Sequence, residues 1–74
     1  MRIFADKETA RKYVELLYAS QDTPLFDMLV KDTWENVKRT LPGVRAEFFA
    51  GLQEKGILQK YLKRAEELAE EEER

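Results

Sequence analysis

Apolar residues recur at intervals of three and four along most of this chain, the spacing that gathers side chains on one face of an α-helix. In the first such run Ala10, Tyr13, Val14, Leu17 and Tyr18 form a stripe that Leu16 widens, while Lys7, Arg11, Lys12 and Glu15 take the wet face. Asp6 stands ahead of it as an N-cap, and Glu8 falls near the positive end of the helix dipole. Ser20-Gln21-Asp22 ends the run. With no second strand to pair with, Met1 to Phe4 is expected to be an extended lead-in whose Ile3 and Phe4 pack on the bundle.

A second helix is expected to open at Thr23-Pro24, a capping hydroxyl followed by proline at the first helical position, where its missing N–H costs nothing. Phe26, Val30, Trp34 (or Thr33), Val37 and Leu41 then step by four and three. Asp32-Thr33 offers a fresh cap, but the pattern reads best as one continuous or slightly kinked helix. Leu41-Pro42-Gly43 should end it, because proline disfavours helical geometry at the residue before it and glycine supplies a turn.

The third run, near Val44 to Lys55, presents Val44, Phe48, Phe49 and Leu52. Gly56 suits the left-handed position just past a helix end, and Ile57 would fold back on Leu52. From Leu58 a fourth helix continues through Tyr61, Leu62, Ala65, Leu68 and Ala69 without a breaker, with residues 70–74 expected to be a frayed acidic tail. The fold expected is all-α, a single domain over residues 1–74 built as a small bundle of three to four helices with a glycine-cornered C-terminal hairpin. Leu17, Val30, Val37, Leu52 and Leu62 are the expected core.

Size and composition then restrict what such a bundle does. In 74 residues the chain carries 13 basic and 15 acidic side chains, no Cys and no His. It therefore lacks the commonest general base, the commonest transition-metal ligands and the strongest nucleophile. Ser20 is the lone serine and has no base beside it. Carboxylate pairs such as Asp22 with Asp27 or Glu66 with Glu70 lie on stretches that read as exposed, without the pocket that raises one pKa. No enzyme, cofactor or metal is expected. Gly51 and Gly56 form no phosphate loop, having no preceding strand and no Gly-Lys-Ser/Thr. The absence of Cys fits a reducing compartment, no run approaches the ~20 apolar residues that span a bilayer, and a cytoplasmic location is expected.

The net charge of −2 conceals an asymmetry. Residues 66–74 hold six Glu against one Arg, a balance of −5, which leaves 12 basic and nine acidic residues in 1–65, a balance of +3. Three features of this surface carry functional readings. The Gly56 corner has the form of a DNA-binding helix-turn-helix, in which Gln59, Lys60, Lys63 and Arg64 would read bases and phosphates. Against this, Lys55 sits where such motifs bury an apolar residue, and Glu66, Glu67, Glu70 and Glu71 repel phosphate. The acidic end could mimic nucleic acid or engage a basic partner, or simply solvate a helix terminus. Lastly, four Phe, three Tyr and one Trp, with Leu16, Leu25 and Met28 beside the main stripes, exceed what a small core needs and mark either a wide stripe or a partner surface.

The stretch from Phe48 to Ala65, FFAGLQEKGILQKYLKRA, resembles the aromatic-rich helix, glycine corner and leucine-alanine helix of small transposon-encoded proteins of the TnpV type. The resemblance covers about a quarter of the chain and implies an accessory protein of a mobile element, with no catalytic residues to carry over. The reading that follows is a helical protein-binding module with Trp34, Phe48, Phe49 and Tyr61 as candidate core or contact aromatics, homo-oligomers being possible. A DNA-binding regulator using Gln59, Lys60, Lys63 and Arg64 is the alternative.

Overall fold

A computed structural model describes residues 6–72. Four helices follow in order: α1 (Lys7–Ala19), α2 (Pro24–Val37), α3 (Pro42–Glu54) and α4 (Leu58–Glu72). The described residues include no strand. Ile3 and Phe4, expected to pack on the bundle, lie outside the described residues.

Each helix end has a local cause. Asp6 caps α1 as expected, its Oδ1 accepting the Thr9 N–H at 2.8 Å. This bond to the backbone holds the Asp6 carboxyl below the ordinary carboxylate value. Beyond α1, Asp22 adopts φ of 64°, the left-handed region that Asp tolerates better than most side chains. α2 begins at Pro24 as expected, but the Thr23 hydroxyl does not cap it and donates instead to the Ser20 carbonyl at 2.6 Å. The helix runs unbroken through Asp32-Thr33.

Leu41 departs from the expected stripe and is 72% exposed. α2 stops at Val37, because the Thr40 hydroxyl bonds the Asn36 carbonyl and Arg39 N–H tightens onto the same oxygen, a side-chain competition that closes the helix early. Leu41 then becomes the residue preceding α3, which opens at Pro42 rather than near Val44. Proline there starts a helix instead of merely ending one.

The Gly56 corner forms as its sequence requires. Ile57 N–H reaches the Leu52 carbonyl and Gly56 N–H the Gln53 carbonyl, both at 3.0 Å, with Gly56 at φ of 73°. These are the paired bonds of a Schellman stop.

α1 packs on α3 and α2, and α4 packs on α2 and α3. The contacts Arg11–Glu47 and Val14–Gly51, followed by Glu15 with Lys55 just past α3, advance together along both helices, so α1 and α3 lie side by side in the same sense. Their backbones approach closely at Gly51, where an added Cβ would stand 2.9 Å from Val14 Cγ2. The central layer consists of Val14, Leu17, Val30, Phe48, Leu52 and Tyr61, all essentially inaccessible. Of the expected core, Leu17, Val30, Val37 and Leu52 are buried, but Leu62 is only half-buried. α4 is rotated so that Ile57, Tyr61 and Ala65 face inward, since the corner already commits Ile57 to the core.

Candidate functional site

Two of the expected contact residues are core residues. Phe48 and Tyr61 are wholly buried and meet edge-to-face with ring centroids 5.5 Å apart, so neither offers a surface to a partner. Trp34 and Phe49 are half-buried, each packed edge-on against Tyr61 at 6.1 and 6.4 Å. Lys38 Nζ lies 5.7 Å from the Trp34 ring centre. On α2 the buried position is Thr33, not Trp34, because the threonine hydroxyl bonds the Leu29 carbonyl at 2.6 Å and the Tyr61 hydroxyl at 2.8 Å. The single Thr33 proton goes to the carbonyl, which can only accept, and so Tyr61 donates to Thr33. Burial pushes the Tyr61 phenol well above its ordinary pKa. The Tyr61 hydroxyl is thus dry and satisfied.

The four residues proposed for nucleic-acid reading separate into two pairs. Arg64 faces α2 and holds Asp27 through two bonds, Nε to Oδ1 at 2.7 Å and Nη2 to Oδ2 at 2.9 Å. Each partner holds the other's charge, the Asp27 carboxyl being lowered and the Arg64 guanidinium raised by that bond. Lys60 lies 3.3 Å from Asp22 and 3.4 Å from the Gln21 side-chain oxygen. Gln59 and Lys63 are exposed, with no described ion pair. An open depression of about 510 Å³ lies here, lined by Asp22, Asp27, Lys60, Lys63, Arg64 and Glu67 around the Phe26 ring. Its charges largely neutralise one another, which favours neither a phosphate nor a cation.

Large apolar side chains are exposed elsewhere. Leu16 on α1 and Leu25 and Met28 on α2 are 48%, 50% and 62% exposed. Successive helical residues turn by about 100°, which fixes where these three lie. Tyr18 is on the α3 side of α1, since Lys55 Nζ sits 5.2 Å over its ring. Leu16, two residues earlier, is therefore turned away from α3 and toward α2, the other neighbour of α1. On α2, Asp27 and Trp34 face α4, so Leu25 faces away from α4, and Met28 lies beside it on the outer surface. Leu29, half-buried, floors this seam between α1 and α2. In the sequence Leu16, Leu25 and Met28 lie beside the main stripes, but their placement along one seam depends on how the two helices are rotated.

Among the described residues no group of carboxylates is placed to hold a metal ion, and no helix is long and apolar enough to cross a membrane. Every described buried side-chain nitrogen and oxygen has a hydrogen-bond partner. The chain matches no protein-family model, no curated protein and no solved structure.

Proposed function

We propose that this chain is a small non-enzymatic binding protein that engages another protein through the α1–α2 seam, in an accessory or regulatory role. One observation carries the reading. From Pro24 to Val30 the sole charged residue is Asp27, and that carboxylate is turned toward α4 and held by Arg64. The outer surface of the first two turns of α2 is therefore left to Leu25 and Met28, large flexible side chains suited to a partner's apolar contact. Trp34 and Phe49, both half-buried, are secondary contact candidates. Cytoplasmic placement, in keeping with the absence of Cys, belongs to the same proposal.

The regulator reading draws less support, because Asp27 and Asp22 engage Arg64 and Lys60 before any phosphate could. The two readings separate experimentally. A photo-crosslinking side chain placed at Met28 in the source cell should yield protein adducts that a Leu25→Lys substitution removes. Affinity for random-sequence duplex that persists near physiological salt, and falls when Lys60 and Lys63 become Ala, would overturn the protein-binding reading.

A further inference from the structure

We infer that the occupant of the α1–α2 seam is a second copy of this chain, seated about a two-fold axis that runs along the two helices. The inference rests on the protein-binding reading and identifies its partner. The described ion pairs join α1 to α3 and to Lys55 just past it, α2 and its preceding loop to α4, or residues within α4, and none crosses the seam. Lys12 and Asp32 take part in none of them, and both are exposed.

Their positions follow from the helices. Lys12 lies one turn before Leu16 on the same row of α1, and Asp32 one turn after Met28 on α2. The four residues between α1 and α2 are too few for anything but an antiparallel pair, so Lys12 and Asp32 share one end of the seam and the apolar group occupies the other. A two-fold axis along the seam lays each α1 against the α2 of the second copy without changing this level. Leu16 then meets Leu25 and Met28 of the second copy, and Lys12 meets its Asp32, twice over by symmetry. Apolar surface and charge are complementary in the same arrangement, as a self-complementary interface demands.

The face is small. Helices of 13 and 14 residues are about 20 Å long, and two side by side offer a face of about 400 Å², below the roughly 800 Å² per partner of standard interfaces. The dimer should be weak and rapidly exchanging, with dissociation in the micromolar range or above.

Sedimentation equilibrium of the full chain from micromolar to millimolar concentration tests this. The expected result is a reversible monomer–dimer equilibrium that Met28→Lys weakens by about tenfold or more, and Leu25→Lys likewise, with helical circular dichroism retained. Lys12→Glu should weaken it by about fivefold, and Lys12→Glu with Asp32→Lys should restore it. A chain that stays monomeric at millimolar concentration overturns the proposal, as does a dimer indifferent to both lysine substitutions or one that the charge swap fails to restore. A monomeric chain that still forms Met28 adducts with a different protein refutes the second copy while leaving the protein-binding reading intact. The absence of both dimer and adducts refutes both.

Discussion

At the residue scale, the hydroxyl pair of Thr33 and Tyr61 decides more than any charge. Both are fully buried, and each satisfies the other at 2.8 Å. Tyr61→Phe leaves Thr33 short of a donor and is expected to cost about 1–2 kcal/mol, as is Thr33→Val, which strands the Tyr61 proton. The double substitution should cost clearly less than the two added together, measured by urea denaturation in a double-mutant cycle. The same burial couples stability to pH. Because the folded pKa of Tyr61 is raised, its contribution is complete below the unfolded value near 10 and is lost as pH climbs toward the folded one. Tyr61→Phe should flatten that alkaline decline. Asp27 behaves oppositely: its folded pKa is depressed by Arg64, so its contribution holds above the unfolded value near 4 and is lost as pH falls through the folded one. Asp27→Asn should flatten the acid limb of the same curve. The presence of an aromatic at 61 and a threonine at 33 was legible in the sequence, but not that they meet, because a helical stripe records phase and no partner.

At the scale of the element, two glycines separate what local sequence specifies from what packing specifies. Gly56 has positive φ with open space around its missing Cβ. Gly56→Ala should therefore destabilise by about 1 kcal/mol through backbone strain alone. Gly51 lies within regular helix, where alanine would be preferred by about 1 kcal/mol, yet a Cβ there would press on the stiff, branched Val14 at 2.9 Å. Overpacking by about 1–3 kcal/mol should outweigh the propensity gain. If the α1–α3 contact is responsible, Val14→Ala should cost less in the Gly51→Ala background than alone, by thermal or chemical denaturation. The Gly56 stop could be read from Phe48 to Leu58, because every bond in it is local. Gly51 gave no such signal. Helix limits show the same divide: the Asp6 cap and Pro24 start were legible, whereas the early end of α2 rested on Asn36 and Thr40 hydrogen bonds that the apolar spacing does not encode.

For the whole molecule, the four helices enclose a core within an envelope of 32 × 23 × 19 Å, and a chain this small has a correspondingly modest reserve of stability. Any association that buries the α1–α2 seam should then be visible in folding. The midpoint of thermal unfolding is expected to rise with protein concentration, and Met28→Lys to remove that dependence, because only the folded state presents the seam. A concentration-independent midpoint would argue that nothing covers this face in solution. Far-UV circular dichroism should be dominated by helix in both proteins.

The all-helical class, a bundle of three to four helices and most inward positions of α1 and α2 followed from spacing, since a periodicity of three and four has one economical solution when an apolar face must leave water. The corner at Gly56 followed from chirality and short-range hydrogen bonding. Rotation was different. Whether Tyr61 or Leu62 pointed inward, whether Thr33 or Trp34 was buried and whether Leu16, Leu25 and Met28 came together all turned on shifts of one residue, about 100° around a helix, which neighbouring helices set and no local preference resolves. The candidate surface belongs to that second group, because it is defined by which sides of α1 and α2 are left over once α3 and α4 have taken theirs.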